Sequence, residues 1–480
     1  MRDHLVIFVN GRRHELPRSL AFEPLTDWLR YELRLTGTKV VCAEGDCGSC
    51  TVLVGRVRAG RMEYATVCGC IQYLFQLDGA HVVTIEGLKY EGRLNPVQEA
   101  FVACHGAQCG FCTPGFVVQL HALLEGGASD EPAIRRGLTG NLCRCTGYEP
   151  ILRAASQTDV SQMRRLEQLF PMPPQLLAEM QRLATEPVLI THGPHVFCRP
   201  DSLAAAAAAR RQWEPLQVYA GGTDLGVMFN KKRPEAIRVL STAGLPGLDS
   251  WELADSRLSV GANVRLSELQ SVLRGAIPEL AEYLEYFGSP QIRNAGTLAG
   301  NLATASPIGD MIPPLFVLQA QVVLAGPDRR RCLDINDFYT GYRRTGMQPD
   351  ELIERVIIPL PRPDEILRLY KVSRRKDLDI STFSAAVWLR LRQGVIVDIR
   401  LAFGGVGPVV IRLRKTEAAL RGRRLSGETL QAVQPIVRGE ISPISDVRGS
   451  AEYRNLLAAN ILRKMHAELA ASATSSNGQD

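Results

Sequence analysis

Cys42-Ala43-Glu44-Gly45-Asp46-Cys47-Gly48-Ser49-Cys50 is the stretch from which the fold of this 480-residue chain is read. Its thiols follow the C-x4-C-x2-C spacing of plant-type 2Fe–2S sites, in which one loop supplies three ligands and a distant segment the fourth. Gly45 and Gly48 lie between the thiols, where the lack of a Cβ lets the loop close and aim amides at the sulfurs. On spacing alone, the fourth ligand is Cys68 or Cys70 of Val67-Cys68-Gly69-Cys70. Ten of the 12 cysteines fall in the first 145 residues, leaving only Cys198 and Cys332 for the rest. Disulfide frameworks of that density belong to small secreted chains. Zinc knuckles come as paired C-x2-C units. Iron–sulfur ligation is therefore the expected chemistry.

Working outward, Leu5–Val9, Asn10-Gly11 and Arg12–Leu16 predict strand, hairpin turn and strand, not a secretory leader. On the other side lies a second thiol set, Cys109-Gly110-Phe111-Cys112 and Cys143-Arg144-Cys145. Capping signals surround it. Asn95-Pro96 opens a helix ending near His105-Gly106, and Thr113-Pro114 opens one through Leu124 that Gly126-Gly127 stops. Asp130-Glu131-Pro132 and Glu149-Pro150 open two more. Four short helices predict a bundle, with Cys112 at a helix N-terminus where partial positive charge favours thiolate and an anionic cluster. Cys104 reads as a buried core thiol.

The chain length predicts three or four domains. Its 45% hydrophobic and 22% charged residues exclude disordered and collagen-like classes. The longest apolar run, Leu203 to Ala209, is far short of a membrane span. The formal charge of +6 is spread along the chain without a cationic block, so neither nucleic acid nor membrane is an expected partner, and a cytoplasmic location is expected. Phe170-Pro171-Met172-Pro173-Pro174 and the polar sequence to Pro194 read as a linker. Beyond it, Val218-Tyr219-Ala220-Gly221-Gly222-Thr223-Asp224-Leu225-Gly226 reads as strand, glycine turn and helix. Gly288 to Asp310 is rich in glycine and hydroxyls, suited to packing backbone amides against a pyrophosphate.

Gln108-Cys109-Gly110-Phe111-Cys112-Thr113-Pro114-Gly115 and Gly140-Asn141-Leu142-Cys143-Arg144-Cys145-Thr146-Gly147-Tyr148 closely resemble the iron–sulfur part of molybdenum hydroxylases, the xanthine dehydrogenase and aldehyde oxidase family. The resemblance implies two 2Fe–2S clusters, one on Cys42, Cys47, Cys50 and Cys70, the other on Cys109, Cys112, Cys143 and Cys145; it favours Cys70 over Cys68. The segments around Gly221 and Thr297 look like the family's flavin domain, which implies Gly221, Gly222, Thr223, Asp224, Thr297, Asn301, Thr304 and Asp310 as FAD contacts. Ser373 to Ser381 also matches, making Lys376 and Asp379 flavin-ring or nucleotide contacts. The implied fold class is multidomain α+β. It comprises a β-grasp ferredoxin-like 2Fe–2S domain (1–88), a four-helix-bundle 2Fe–2S domain (89–160), a linker (161–194), and an α+β FAD-binding domain of the PCMH/CO-dehydrogenase flavoprotein type (195–366). A C-terminal α+β subdomain (367–468) and a disordered tail (469–480) complete it.

The family's molybdopterin domain has no counterpart in this sequence, so a partner large subunit is expected to carry molybdenum in a heterodimer, paired as a heterotetramer. The implied activity is that of an electron-transfer subunit of a xanthine-oxidising dehydrogenase, passing electrons through both clusters to FAD and then NAD. No residue here is expected to do acid–base chemistry on the purine. An aldehyde or N-heterocycle is the alternative substrate. A cluster-switched redox sensor and a zinc-stapled structural subunit are the readings from other classes.

Overall fold

Leu5–Val9 and Arg12–Leu16 pair antiparallel as β1 and β2 around Asn10-Gly11, whose φ values of 47° and 81° are those a two-residue hairpin loop demands. With β3 (Thr51–Arg58), β4 (Arg61–Cys68) and β5 (His81–Val83) they form a sheet of order β2-β1-β5-β3-β4. All five residues of β1 are buried. Leu5, Ile7 and Val9 face one core, while Val6 and Phe8 pack on Met180 and Leu183.

That second face explains where expectation and structure part. The span 161–194, expected to be a linker, contains the helix Pro174–Thr185 and the strand β6 (Val188–His192). Its prolines open a helix instead of breaking structure, because β1 is apolar on both sides and the helix covers the side that the main core leaves free.

Helices Pro96–Ala103, Thr113–Glu125, Glu131–Gly137 and Glu149–Gln157 start where the caps predict, each with Pro in its first turn. Asn95 accepts from the Gln98 amide at 2.9 Å while Gln98 accepts from the Asn95 amide at 3.0 Å, a capping box. Phe116, Leu120, Ile134 and Ile151 fill the bundle, and Leu53 and Val83 of the sheet join the same core. Cys104 is buried there, its thiol donating to Gln157 Oε1 at 2.9 Å.

β6, β7 (His195–Arg199), β8 (Gln217–Tyr219) and β9 (Arg238–Ser241) form a second sheet of order β6-β7-β9-β8. Buried Asp78 ties it to the first, accepting from Arg2 at 2.5 Å and Arg199 at 2.6 Å. Two guanidinium groups and the Val6 amide, at 2.8 Å, satisfy the buried carboxyl group.

The structure describes residues 1–213 and 215–476. They divide into two compact units, Met1–Gly247 with Gly288–Gly296, and Leu248–Phe287 with Thr297–Asp480. The expected flavin domain is thus shared out between units, and not a body of its own. In the second unit, Trp251–Ala254, Arg257–Gly261, Leu352–Pro359, Gln321–Ala325 and Arg330–Asp334 lie side by side in one antiparallel sheet. Glu365–Val372, Phe383–Arg392, Val395–Gly404 and Ile411–Arg412 form another. Helix Ala451–Ser476 lays Ala458, Ile461, Leu462 and Met465 into the core of Phe383 and Phe403. It carries regular backbone past residue 469, where a disordered tail is expected; residues 477–480 lie outside the described residues. Among the described residues no helix is long and apolar enough to cross a membrane.

Candidate functional site

The loop from Cys42 to Cys50 carries Gly45 and Gly48 at φ 81° and 68°, so it curls back on itself and brings its three thiols together. A Cβ on Gly48 would collide with the Gly140 carbonyl, so this position admits only glycine. Cys42 is in hydrogen-bonding contact with Cys47 and Cys70, and Cys50 with Cys68 and Cys70. Cys70 therefore touches both ends of the loop's ligand set. Cys68 touches Cys50 alone and turns its S–H to the Gly45 carbonyl at 3.3 Å. Beside Cys70 opens a cavity of about 330 Å³ bordered by Ala43, Tyr73, Asn230 and Arg233. Asn230 donates to the carbonyls of Ala43 and Cys70, both at 2.8 Å, pinning the two ends of the set to each other.

The helical set forms at the mouth of the bundle. Cys145 and Cys109 sulfurs are 3.6 Å apart, and Cys112 contacts Cys143. The Cys143 sulfur receives the Thr146 amide at 3.5 Å. The Tyr148 hydroxyl accepts from the Cys143 amide at 3.1 Å, which Tyr148 achieves from a left-handed φ of 71°. Cys109 and Cys145 are exposed.

Both sets divide into thiolate-favouring and thiol-favouring members. Contact with Cys47, then Cys70, holds Cys42 far below the ordinary thiol range, and contact with Cys68, then Cys70, lowers Cys50. The donors Cys47, Cys68 and Cys70 are raised by the sulfurs they serve and by burial. Cys109 is lowered by the Phe111 amide and then by Cys145. Burial raises Cys143, but hydrogen bonds from the Thr146 hydroxyl and amides outweigh it, and it ends below the ordinary value. Cys112 is pushed up to about 12 by burial and contact with Cys143. Among the described residues no three His, Cys, Asp or Glu side chains converge as around a single ion. The thiols meet as a chain of contacts in the N-terminal set and as the pairs Cys109–Cys145 and Cys112–Cys143 in the helical set, and four thiolates suit a cluster of two irons. Donor type, pairing and thiolate character all fit a 2Fe–2S cluster at each set.

The two sets are joined. The Leu142 amide, next to Cys143, donates to the Cys47 carbonyl at 3.0 Å. Asn141 Nδ2 donates to the Gly48 carbonyl at 3.2 Å, and Gln291 Nε2 donates to Asn141 Oδ1 at 2.8 Å. Asn141 and Gln291 are both buried. Sequence reading passes over this triad because its members lie 93 and 150 positions apart.

Gly221, Gly222, Thr223 and Asp224 form the turn between β8 and the helix Leu225–Lys232. A Cβ on Gly221 would strike the Ala295 carbonyl, and one on Gly222, at φ 71°, would strike the Tyr219 hydroxyl. Tyr219 donates to Gln76 Oε1 at 2.7 Å, and Gln76 Nε2 donates to the Gly221 carbonyl at 3.4 Å. The turn is thereby braced and half-buried, and its glycines are required by close packing against Ala295 and Tyr219.

In the second unit, Thr297 spends its hydroxyl capping the helix Leu298–Ala303, accepting from Gly300 N at 3.0 Å, and Thr304 donates to the Gly300 carbonyl at 3.0 Å. Asn301 Oδ1 is buried and has no partner among the described residues, an orphaned acceptor that a ribose hydroxyl would satisfy. Asp310 is buried, accepting from Lys371 at 2.7 Å and from Ser381 at 2.5 Å. Lys371 is not among the residues read from the sequence; it is the penultimate residue of the strand Glu365–Val372, and only the fold places it on Asp310. Asp379 binds Arg375 through both side chain and amide. Lys376 lies 5.7 Å over the Tyr286 ring, in a cleft of about 580 Å³ that Arg368, Tyr283 and Lys371 also border. Lys376 and Asp379 are thus each engaged locally, and the structure does not bring them together. Taken by themselves, the glycine turn of the first unit and the orphaned Asn301 amide oxygen of the second are each chemically suited to FAD contacts.

Comparison with known proteins agrees with this geometry. Residues 84–156 match the family model of a 2Fe-2S binding domain, 191–361 that of the FAD binding domain in molybdopterin dehydrogenase, and 368–469 that of the CO dehydrogenase flavoprotein C-terminal domain. Xanthine dehydrogenase 1 of Arabidopsis thaliana is 30% identical over 94% of this chain and 38% of its own length. This chain therefore spans well under half of that relative. Among solved structures, a chain of the carbon monoxide dehydrogenase from Hydrogenophaga pseudoflava aligns at TM-score 0.54 and 26% identity, covering 56% of this chain and 94% of that one. Quinoline 2-oxidoreductase from Pseudomonas putida 86 shares the fold, at TM-score 0.54 and 24% identity over 59% of this chain and 98% of its own.

Proposed function

Because the chain belongs to the molybdenum hydroxylase family and corresponds to its iron–sulfur and flavin portion, we propose that it is the electron-transfer subunit of a xanthine dehydrogenase. The reaction served is xanthine + NAD+ + H2O → urate + NADH + H+, with molybdopterin on a partner subunit. When bound, two 2Fe–2S clusters supply one-electron steps and FAD converts them to the two-electron step that nicotinamide needs.

The chain's own contribution is positional. Cys109, Cys112, Cys143 and Cys145 hold one cluster where another chain can reach it, since two of the four thiols are exposed. Cys42, Cys47, Cys50 and Cys70 hold the second. The residues assigned to FAD are Gly221, Gly222, Thr223 and Asp224 in the first unit and, described by themselves, Thr297, Asn301, Thr304 and Asp310 in the second. The proposed order is helical cluster, N-terminal cluster, FAD; the Leu142–Cys47 hydrogen bond of 3.0 Å supports its first step, as a continuous bonded route between the thiol sets. No side chain is assigned acid–base work on the purine. The xanthine dehydrogenase relative favours xanthine. A carbon monoxide dehydrogenase chain covered over 94% of its length favours a flavin part that works beside a separate molybdenum-bearing chain.

The test is direct. The purified chain should hold about four iron atoms in two spectroscopically distinct 2Fe–2S clusters, with one FAD, and should reduce a dye with NADH while leaving xanthine untouched. Adding the molybdenum subunit should restore xanthine oxidation. Xanthine turnover by the free chain, or zinc in place of iron, would refute the proposal.

A further inference from the structure

The N-terminal set contains five thiols where a 2Fe–2S cluster takes four. Cys68 is 1% exposed and Cys50 is 1% exposed, so both are sealed from solvent. The two are held side by side by backbone. Cys68 closes β4 opposite Thr51, the residue after Cys50, and the Gly69 amide donates to the Cys50 carbonyl at 3.1 Å. This ladder exists whatever the sulfurs do. Cys70, by contrast, stands beyond the strand in the short turn Gly69–Ile71 and borders the cavity beside Asn230. Both sulfurs touch Cys50, and thiols in contact are spaced as two ligands of one tetrahedral metal are. The S–H of Cys68 has only the Cys50 sulfur and the Gly45 carbonyl, at 3.3 Å, as acceptors, both weak partners for a thiol.

We propose that Cys68 is a reserve ligand of the N-terminal cluster: Cys70 ligates in the intact protein, and Cys68 takes the vacated iron when Cys70 is lost. In that exchange the Cys68 S–H bond breaks, its proton leaves to solvent, and an S–Fe bond forms in place of the missing one. No electron is transferred. The short Gly69 hinge permits it, because Cys68 and Cys70 flank a single residue and each already contacts the shared neighbour Cys50.

The inference rests on the two-cluster reading above, and the experiment separates the two. Iron content and the EPR spectrum of the dithionite-reduced full chain are measured for wild type, Cys68→Ala, Cys70→Ala and the double variant. Alanine is used because serine could ligate. Wild type without two cluster signals would overturn the two-cluster reading itself. Given two signals, Cys68→Ala should be unchanged. Cys70→Ala should keep about four irons with shifted g values for the N-terminal cluster only. The double variant should fall to half the iron, with the helical signal intact. A Cys70→Ala variant that already holds half the iron would refute the reserve role. So would a Cys70→Ala spectrum identical to wild type alongside iron loss in Cys68→Ala, which would make Cys68 the resident ligand.

Discussion

The N-terminal and helical thiol sets use the same residue type for the same proposed task in opposite surroundings. Cys50 and Cys70 are 1% and 3% exposed, just before β3 and just after β4, with Asn230 on the Cys70 carbonyl, while Cys42 and Cys47 of the same set are half-buried. Cys109 and Cys145 are exposed at the mouth of a bundle, beside the outward rings of Phe111 and Tyr148. Thiolate character is obtained differently in each. In the buried set it comes from thiols donating to one another; in the exposed set it comes from amides of the loop, Phe111 for Cys109 and Thr146 for Cys143. A surface set with apolar neighbours is open to a second chain, and a sealed one is open only to its own protein.

The largest expected effect tests that division. Cys112→Ala should remove the helical cluster and leave the N-terminal EPR signal, while Cys47→Ala should do the reverse. In the reassembled enzyme each should lower xanthine-to-NAD turnover by orders of magnitude. NADH-to-dye activity of the chain should survive Cys112→Ala, because nothing at the flavin segments depends on that thiol. Loss of one common signal in both variants would mean that the sets are a single site.

Acid should break the comparison next. His81, on β5 of the sheet that bears the N-terminal set, accepts from the Gly11 amide at 2.9 Å and meets the Tyr64 hydroxyl at 2.7 Å. Burial pushes its imidazole down to about 4. A base whose folded pKa lies below its unfolded value of about 6.5 favours the folded state above 6.5. That advantage is lost as pH falls from 6.5 to 4, amounting to about 3 kcal/mol. Urea midpoints should fall across that window in wild type and less in His81→Gln. Equal slopes in the two would show that His81 is not the titrating group.

What the sequence made legible follows from range. The hairpin, the four helix starts and both thiol spacings are local, written within a few residues of one another, and each is found where it was expected. Spacing within the thiol set leaves Cys68 and Cys70 open and the family resemblance favours Cys70; the structure adds that Cys70 contacts both Cys42 and Cys50, whereas Cys68 contacts Cys50. The 161–194 span misled because proline reads alike at a linker and at a helix start, and the decision lay in the two-sided burial of β1, far away in sequence. The division of the flavin segments between units is equally hidden, since nothing in Gly288–Gly296 announces that it returns to the first unit. Asp310 was read, but Lys371, which pairs with it, was not.

The link between the sets offers a smaller effect. Asn141→Ala removes the donor to the Gly48 carbonyl and leaves buried Gln291 Nε2 with only the Thr51 hydroxyl, at 3.3 Å, to donate to. The expected loss is about 2 kcal/mol of stability. Both EPR signals should broaden, because one amide braces the loops of both sets. Broadening of the helical signal alone would make Asn141 a part of that set only.

The smallest effect concerns the rate at which iron is lost. A chelator must reach iron through an opening of the protein, and the opening needed differs between the sets. At the helical mouth two of the four thiols already meet solvent. At the N-terminal set Cys50 is sealed, and release requires the loop to lift from Gly140 and Asn141, which hold Gly48. Local openings of loops cost less than openings that break buried hydrogen bonds. An extra cost of about 1.4 kcal/mol, the scale of one such bond, slows release about tenfold. With excess chelator under anaerobic conditions, the helical EPR signal should therefore decay about tenfold faster than the N-terminal one. Asn141→Ala should narrow that ratio by speeding the slower phase. If both signals decay together in wild type, the two sets open as one unit, and exposure of Cys109 and Cys145 does not govern access to iron.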